Sequence, residues 1–399
     1  MTRTLFLSHD SSLYGAQRSL LGLLSRLDHR EVDALVVTPY DGPLNDEIAE
    51  LDVPLAVRRI VHWIAAGKDA KKSRLQIGRD CLTGLKSRVW ALAHLIEDNK
   101  IDVVYTNTVI SIEGAIAARL TRRPHIWHLR EQVSGNTQLK TPVPTWLIPH
   151  VVGWLSAQVI VNSNYLGQAY AWGVPKSKLS VIYNGVDPSE FDIDRTEAAC
   201  SVKAELGVSQ SARLVVQIGT VIPRKGQMLL AQAAARVIQS FPNAIFLIVG
   251  DGDADYIRDI KAFAKSRSTA GLLWFLGWRD DVPRLLAAAD VLAVAADEEP
   301  FGRTVIEAMA VGTPVVSTRC GGPEEIIVDQ GTGLLVPRRD ALSLALGIER
   351  ILGDPIEADT LSQAGRYRVN ELFSLEKHAQ RVRSVIADVV RNQPSICDR

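Results

Sequence analysis

The chain alternates between short apolar runs and longer segments with one apolar face. Stretches such as "RLVVQIG" (213–219) and "IFLIVG" (245–250) are almost continuously apolar, as expected for strands buried on both faces. Segments with helical spacing follow such runs, for example "QMLLAQAAARVIQSF" (227–241). Strands that alternate with helices in this way indicate an α/β fold with parallel sheets.

Six strands are predicted in each half of the chain. In the first half they are Thr4–Ser8, Val32–Thr38, Asp102–Thr106, Pro124–Leu129, Gln158–Asn162 and Lys178–Tyr183. In the second half they are Leu214–Gly219, Ala244–Gly250, Leu272–Leu276, Val291–Ala295, Pro314–Ser317 and Gly333–Val336.

The alternation restarts once, after a polar segment without any strand-like run. We therefore predict an N-terminal Rossmann-like domain (1–187), a linker (188–212), a C-terminal Rossmann-like domain (213–365) and a helical tail (366–399) that packs back toward the N-terminal domain. The two doubly wound domains are expected to face each other across a cleft. Ligands of open α/β sheets bind outside the carboxyl ends of the strands, so the cleft is the expected site.

The composition is that of an ordinary globular protein. The 399 residues are 47% hydrophobic and 23% charged, enough for two domains. Lysine plus arginine equals aspartate plus glutamate, so no nucleic-acid partner is expected. The cysteines Cys81, Cys200, Cys320 and Cys397 lack metal-ligand spacing and are interpreted as reduced thiols of a cytoplasmic protein. No apolar run reaches the length of a signal-peptide core or of a membrane span.

Two acids bracket a helix start in "EEPFGRTVIEAMA" (298–310). Glu299 precedes a helix predicted to begin near Phe301 or Gly302, and Glu307 lies within it. The first N–H groups of a helix can bind a phosphate, and carboxylates accept hydrogen bonds from the hydroxyls of a sugar. Spacing alone favours the simpler alternative, a helix with acids near its N-terminus.

A basic loop follows another strand of the same predicted sheet. Arg224 and Lys225 lie between Gly219, where that strand ends, and a helix predicted to begin near Gly226. Two cations at the carboxyl end of a strand suit a pyrophosphate, whereas a lone basic turn is more often only solvated. The position of both loops at one edge of the sheet favours the functional interpretation.

The N-terminal half offers weaker signals. Gly15 opens a helix after the first strand, and His128 ends a strand that Arg130 and Glu131 follow. A tight turn and a structural histidine are the alternatives. "LIVGDGD" (247–253) lacks the third glycine of a dinucleotide fingerprint, so a nicotinamide site is not expected.

Together these motifs resemble those of retaining GT-B glycosyltransferases of family 4, the "group 1" class. The most specific motif is Glu299-x7-Glu307 within "EEPFGRTVIEAMAVGTPVV". Supporting motifs are "GAQRSL" (15–20), "YNGVD" (183–187), "PRKG" (223–226), "VGDGD" (249–253), "FLGW" (275–278) and "CGGPEEII" (320–327). The resemblance covers nearly the whole chain.

The resemblance implies a nucleotide diphosphate sugar as co-substrate, held mainly by the C-terminal domain, with no cofactor and no metal. The residues implied to bind the diphosphate are Gly15, Arg224, Lys225, Gly302, Arg303 and Thr304. Those implied for the donor sugar and ribose are Glu299, Glu307, Gly321 and Gly322. His128 and Glu299 are the implied catalytic residues, and Tyr14, Arg130 and Glu131 are placed on the acceptor side.

The resemblance also implies a mechanism. Fixed cations and helix N–H groups stabilise the charge on the leaving diphosphate, and the departing phosphate accepts the proton of the incoming hydroxyl on the same face. Two residues depart from the family pattern. Thr220 stands where the family often has a diphosphate-binding arginine, and Tyr14 stands where it usually has a glycine.

The expected acceptor is a glycan or a lipid-linked glycan of cell-surface polysaccharide or glycolipid synthesis. The segment 58–88 is rich in lysine and arginine and contains Trp63 and Ile64. It is either an amphipathic surface for anionic lipid at the inner face of the plasma membrane or a solvated pair of helices. A nucleotide-sugar epimerase of related fold and a non-catalytic sugar-nucleotide-binding subunit are the rival functions. The sugar, the base, the acceptor and the linkage stay open.

Overall fold

A computed structural model of the chain describes residues 1–136 and 138–392, without the side chain of Lys68. The chain divides into two units. The first comprises Met1–Gly185 together with the C-terminal segment from Leu375, and the second comprises Val186–Ser374. Each unit is built around one parallel sheet with helices on its faces, the arrangement that the alternating pattern predicts.

The strands of the first unit are β1 (Thr2–Ser8), β2 (Val32–Thr38), β3 (Leu55–Val57), β4 (Ala65–Ala66), β5 (Val103–Asn107), β6 (His125–Leu129), β7 (Leu139–Lys140), β8 (Gln158–Val161) and β9 (Leu179–Val181). Those of the second unit are β10 (Arg213–Ile218), β11 (Ala244–Val249), β12 (Leu273–Gly277), β13 (Val291–Val294), β14 (Val315–Thr318) and β15 (Leu334–Val336).

The helices of the first unit are α1 (Gly15–Ser25), α2 (Pro43–Glu50), α3 (Arg74–Leu82), α4 (Leu85–Asp98), α5 (Glu113–Leu120), α6 (Ile148–Leu155), α7 (Asn164–Tyr170) and α16 (Leu375–Arg391). Those of the second unit are α8 (Arg195–Glu205), α9 (Gln227–Ser240), α10 (Ala254–Ser266), α11 (Val282–Ala288), α12 (Arg303–Val311), α13 (Pro323–Ile326), α14 (Ala341–Gly353) and α15 (Pro355–Leu372). Short 3₁₀ turns lie at Gly67–Lys71, Thr145–Leu147, Lys176–Lys178, Pro188–Phe191 and Pro223–Lys225.

The first unit has a seven-stranded sheet in the order β3-β2-β1-β5-β6-β8-β9, with a separate antiparallel pair β4-β7. β1 pairs in parallel with β2 on one side and β5 on the other. The core on one face of this sheet includes Phe6 and Tyr105 from the strands and Ala379, Val382 and Ile386 from α16. The C-terminal helix is therefore part of the core of the N-terminal unit.

The second unit has a six-stranded sheet in the order β12-β11-β10-β13-β14-β15. β10 pairs in parallel with β11 and with β13, so the strand order reverses between β10 and β13. The strands are apolar on both faces, and Val215, Phe246 and Ala293 are fully buried in one core with helices α9 and α14. This reversal marks the place where open α/β sheets bind their ligands.

All twelve predicted strands are present. β3, β4 and β7 were not predicted, because runs of two or three residues carry too little pattern to be read from sequence. The predicted α/β fold class, with two doubly wound sheets, is confirmed.

The segment 188–212, predicted as a linker, contains a 3₁₀ turn and α8 and belongs to the second unit. α8 packs on α11, and the side chain of Arg195 donates hydrogen bonds to the carbonyls of Ala287, Ala289 and Gly312. The tail divides between the units, since α15 ends at Leu372 in the second and α16 lies in the first.

Trp63 and Ile64 are buried in the core of the first unit, where the indole of Trp63 donates to the carbonyl of Val109. These two side chains therefore belong to the core and not to an exposed amphipathic surface, whereas lipid binding by the segment 58–88 stays a prediction. Apolar residues of a mixed segment can face inward as readily as outward, and the charge pattern of 58–88 does not distinguish the two.

Among the described residues, Cys81 and Cys320 are buried thiols and Cys200 is an exposed one, whereas Cys397 lies outside them. The described part of the chain contains no cluster of three or more histidine, cysteine, aspartate or glutamate side chains arranged to hold a metal. No helix in the described ranges combines the length and the apolar character that crossing a membrane requires.

Candidate functional site

Three loops of the second unit leave the carboxyl ends of neighbouring strands. The loop 219–226 follows β10, the loop 295–302 follows β13, and the loop 319–322 follows β14. Because these strands are adjacent and parallel, the loops lie at one edge of the sheet, at the point where the strand order reverses. The predicted phosphate-binding and sugar-binding residues of the second unit are on these loops and on α12.

The loop after β10 is fixed by close packing. Gly226 has a φ of 71°, and a Cβ atom there would lie 1.9 Å from the carbonyl oxygen of Ala295. Only glycine allows the two loops to approach so closely. The buried side chain of Gln217 donates to the carbonyl of Lys225 at 2.5 Å, which holds the basic turn over the strand end.

The structure brings the two charged motifs into direct contact. The ammonium group of Lys225 donates to the carboxylate of Glu299, although 74 residues separate them in sequence. The loops are also joined through Arg224, whose Nη1 donates to the Glu298 carbonyl at 2.9 Å and whose own carbonyl accepts from the Asp297 amide at 2.9 Å. The basic loop and the acidic loop therefore form one cluster.

Glu299 is ionised at neutral pH. Its burial favours the neutral form, but the charges of Lys225 and Arg224 outweigh this effect and lower the pKa of Glu299 below its ordinary value. The neighbouring Glu298 shows the opposite balance, because burial raises the pKa of its carboxyl group. Glu299 thus offers acceptor oxygens beside a cation, which suits hydroxyl groups next to a phosphate.

The third loop is tied to the backbone of Glu299. The Glu299 amide donates to the Cys320 carbonyl at 2.8 Å, and the Gly322 amide donates to the Glu299 carbonyl at 2.8 Å. Gly321 and Gly322 consequently lie directly beside Glu299, whereas their role at the donor sugar stays a prediction. A Cβ atom at Gly322 would lie 2.3 Å from the Cα of Phe301, so this approach also requires a glycine.

Helix α12 begins at Arg303, one residue after the predicted start. Gly302 is its N-terminal flanking residue, with a φ of 101°, and no side chain in the described part of the chain caps this end. The amides of Arg303 and Thr304 are first-turn groups, which have no acceptor within the helix and carry its positive dipole end. An anion at this position is therefore favoured.

Glu307 lies on α12 and is largely buried. Its Oε1 accepts from Nη2 of Arg303 at 2.8 Å and from Nε at 3.1 Å. Both acids of the motif therefore face a cation of the same site, Lys225 for Glu299 and Arg303 for Glu307. A diphosphate bound here would share these cations with the two carboxylates.

Thr220, one of the two departures from the family pattern, lies in the loop after β10. Its side chain is exposed, and its carbonyl accepts from the side chain of Gln227 at 3.1 Å. The cations of the loop after β10 are thus Arg224 and Lys225.

The predicted residues of the first unit are at the carboxyl edge of its own sheet. Tyr14 is exposed and directly precedes Gly15, the first residue of α1. Arg130 is buried and donates from Nε to Asn107 and from Nη1 to Asn184, both at 2.7 Å.

The backbone carbonyl of Glu131 accepts from the Tyr170 hydroxyl at 2.9 Å. Because Glu131 directly follows Arg130 in the chain, the two predicted acceptor-side residues share one short loop after β6.

His128 lies in the core with no exposed surface. Its Nδ1 is bonded to the Tyr105 hydroxyl, and Nη2 of Arg130 is 3.4 Å away. Burial, together with the charge of Arg130, holds the pKa of His128 well below its ordinary value, so the imidazole is neutral. A role for His128 at the donor sugar stays a prediction.

Sequence reasoning missed a polar group around His9, the residue that follows β1. The His9 ring lies 5.6 Å from the His62 ring, and its Nδ1 is 3.2 Å from the Thr108 hydroxyl. Desolvation, and next the neighbouring His62, lower the pKa of His9 to about 4. A histidine directly after the first strand was the available signal, but its partners are 53 and 99 residues away.

His9, Tyr40 and His62 line a cavity of about 410 Å³ in the first unit. Its other walls come from Pro39, from the stretch 59–65, from Asp69 and Lys72, and from α3.

Comparison with known proteins gives two family matches. A family model described as "Glycosyl transferases group 1" matches residues 201–368, and one described as "Glycosyltransferase Family 4" matches residues 14–190. Together they cover most of both units.

Curated relatives are similar over the whole chain or over half of it. The UDP-Gal:alpha-D-GlcNAc-diphosphoundecaprenol alpha-1,3-galactosyltransferase of Escherichia coli is 24% identical over 96% of this chain and 95% of its own. An uncharacterized glycosyltransferase of Methanocaldococcus jannaschii is 34% identical over 50% of this chain and 52% of its own. The lipopolysaccharide core biosynthesis glycosyltransferase LpsE of Rhizobium meliloti is 35% identical over 44% of this chain and 49% of its own. The last two matches thus span about half of each relative.

Solved structures show the same fold. Anabaena HepE in complex with UDP and glucose has a TM-score of 0.82 at 24% identity, covering 97% of this chain and all of that one. Sucrose-phosphate synthase of Thermosynechococcus elongatus has a TM-score of 0.76 at 22% identity, with 98% and 100% covered. These likenesses establish the GT-B fold.

Proposed function

Because the chain belongs to the GT-B glycosyltransferases of family 4, the glycosyl transferases group 1, we propose that it moves a hexose-type sugar from a nucleotide diphosphate donor to a glycan or lipid-linked glycan. The transfer retains the anomeric configuration and serves cell-surface polysaccharide or glycolipid synthesis in the cytoplasm. The name of the E. coli relative, which includes UDP-Gal and a diphosphoundecaprenol-linked acceptor, supports this proposal, as does the UDP and glucose bound to HepE.

The observation that carries the proposal is the cluster of Lys225 and Glu299 beside the N-terminus of α12. A cation, an ionised carboxylate and the first-turn amides of α12 lie at the strand-order reversal of one sheet. The cation and the amides suit a diphosphate, and the carboxylate suits the hydroxyls of the attached sugar. Their combination in one cluster favours a nucleotide diphosphate sugar over either ligand part alone.

In the proposed step, the bond between C1 of the sugar and the diphosphate oxygen breaks. Negative charge then grows on that oxygen, and Lys225, Arg224 and the first amides of α12 stabilise it. The acceptor hydroxyl oxygen bonds to C1 on the face that the diphosphate leaves, and its proton passes to the departing phosphate oxygen. The side chains supply the positive charge, so the proposed step requires no metal ion.

The two acids have separate roles in this proposal. Glu299, ionised beside Lys225, accepts hydrogen bonds from the donor sugar, with Gly321 and Gly322 forming the adjacent backbone wall. Glu307 accepts from the ribose hydroxyls while Arg303 keeps its carboxylate in place. The roles proposed for residues of the first unit rest on the family resemblance. These residues are Gly15, Tyr14, His128, Arg130 and Glu131.

A donor panel tests the binding part of the proposal. UDP-glucose, UDP-galactose, UDP-N-acetylglucosamine and GDP-mannose are added in turn, and thermal unfolding is followed. A donor at 100 times its Kd stabilises the fold by about 2.7 kcal/mol, which is readily detected. If no nucleotide sugar raises the Tm, the proposal fails.

Site variants test the catalytic part. Lys225→Ala and Glu299→Ala are each expected to lower kcat/KM for the donor so identified by about 10²–10³-fold, because each removes a group that meets developing charge. Lys265→Ala, an exposed lysine of α10, is the matched control. Unchanged turnover in both site variants would refute the site. Binding without turnover would indicate a non-catalytic subunit, and release of an altered nucleotide sugar without acceptor would indicate an epimerase.

A further inference from the structure

Helix α3 has two opposite faces of different character. Ile77 and Cys81 are buried, whereas Leu75 and Leu82 are 87% and 69% exposed. With Arg79, the two leucines occupy positions i, i+4 and i+7, which form one stripe on the helix surface. An amphipathic helix normally buries its leucines. Exposed leucines in one stripe therefore indicate a binding surface for another molecule.

The exposure of the leucines is fixed by the local structure. Ser73 and Gln76 form a capping box at the start of α3, and Lys72 bridges Asp69 at 2.9 Å and Asp80 at 3.1 Å. At the other end, the side chain of Arg88 donates to the carbonyls of Cys81 and Thr83 and to the buried carboxylate of Glu113. The helix is thus held from both ends with its leucine stripe outward.

Exposed cations flank the leucine stripe along the chain. The exposed cations Lys71, Arg74, Arg79 and Lys86 have no acidic partner within salt-bridge distance among the described residues. The two acids of the stretch 67–88, Asp69 and Asp80, are both engaged by Lys72. The two leucines of the stripe are therefore accompanied by cations whose charge no described acid neutralises.

We propose that this α3 surface, defined by Lys71, Arg74, Leu75, Arg79, Leu82 and Lys86, docks on an anionic membrane. The leucines would enter the boundary between headgroups and acyl chains, and the cations would contact the anionic headgroups. The composition of the surface favours this partner. Acyl chains accommodate the leucines and anionic headgroups complement the cations, and an anionic membrane provides both.

The docking surface lies next to a cavity of the same unit. Ile77, on the buried face of α3, lines the 410 Å³ cavity with His9, Tyr40 and His62. Docking of α3 would therefore set one wall of this cavity at the lipid surface. Docking itself does not depend on the proposed transfer reaction, but a role of the cavity for a lipid-linked acceptor does.

The full-length protein is tested by co-sedimentation with vesicles. Equal parts of phosphatidylglycerol and phosphatidylcholine are compared with phosphatidylcholine alone, at low and at high salt. Binding is expected only to the anionic vesicles and is expected to weaken with salt. No salt-sensitive binding to the anionic vesicles would overturn the proposal.

Variants then locate the surface. Leu75→Ser with Leu82→Ser is expected to weaken binding by about ten-fold or more, and Arg74→Gln or Arg79→Gln by about five-fold each. Ile356→Ser, at a residue 81% exposed in the second unit, and Lys265→Gln are matched controls expected to bind as the parent does.

Unchanged binding by the α3 variants would overturn the proposal, and loss of binding in Trp146→Ser instead would place the contact at another exposed residue of the first unit. Each variant's donor-induced Tm shift is measured in parallel. A preserved shift shows an intact fold and separates failure of docking from failure of the proposed function.

Discussion

The two units use the same doubly wound sheet but place their polar groups differently. The second unit gathers charged side chains on the loops and on helix α12 at its strand ends, where Lys225 pairs with Glu299 and Arg303 pairs with Glu307. The first unit gathers neutral groups inside, such as His125, His128 and Tyr105, and all eight histidines of the chain belong to it. Charged pairs near solvent can exchange partners with a ligand, whereas buried neutral groups are locked by hydrogen bonds.

One buried ion pair of the first unit marks an exception and gives the largest expected effect. Glu113 is fully buried, with its Oε1 2.5 Å from Nε of Arg88 and its carboxylate accepting from the Val61 amide. Glu113→Ala leaves a buried guanidinium without its counterion and is expected to lower the free energy of unfolding by about 3–5 kcal/mol. Urea denaturation measures the loss.

The matched control removes a pair of the second unit that is more exposed than Arg88 and Glu113. Glu357→Ala, which breaks the contact with the 44%-exposed side chain of Arg350, is expected to cost about 0–1 kcal/mol. Equal costs in the two variants would show that burial does not distinguish the pairs.

The variant with the next largest expected effect tests the close approach of the two loops in the second unit. Gly226→Ala places a Cβ against the Ala295 carbonyl at a positive φ and is expected to destabilise by about 2–4 kcal/mol in total. Gly207→Ala has a similar φ of 66° but nothing within 4 Å, and is expected to lose only about 1–2 kcal/mol. Thermal unfolding of both variants gives the difference, and equal Tm values would argue against the packed loop.

The smallest effect concerns pH. Burial lowers the pKa of His125 to about 3, against about 6.5 in the unfolded chain. The folded state therefore keeps this imidazole neutral, and its contribution to stability is full above pH 6.5 and is lost as pH falls toward 3. Between pH 7 and pH 5, about 2 kcal/mol should be lost from this residue.

Hydrogen exchange at pH 7 and pH 5 locates this loss. Protection should fall in the first unit, whereas the second unit contains no histidine and should keep its protection over this range. His125→Gln is expected to reduce the pH dependence, and His94→Gln, at an exposed position, is expected to leave it unchanged. A uniform response of both units would contradict the assignment to buried histidine.

The comparison also shows what sequence can predict. The strands and the Glu299 and Lys225 loops were readable because each depends on a local pattern: an apolar run, then a turn, then a helix start. The direct contact of Lys225 with Glu299 and the position of Gly322 against Phe301 depend on strand order, which no local pattern reports. Likewise, nothing in the segment 58–88 shows that Trp63 faces inward while Leu75 faces outward.

The placement of α16 has a consequence for biosynthesis. Its residues Ala379, Val382 and Ile386 complete the core of the unit that begins at Met1, and the entire second unit is translated between them. The second unit is contiguous in sequence. As the chain leaves the ribosome, this unit is therefore complete before the first unit is. The unit whose synthesis starts earliest is thus the last to close its hydrophobic interior, and a nascent chain that stops before α16 leaves that interior open to chaperones and proteases.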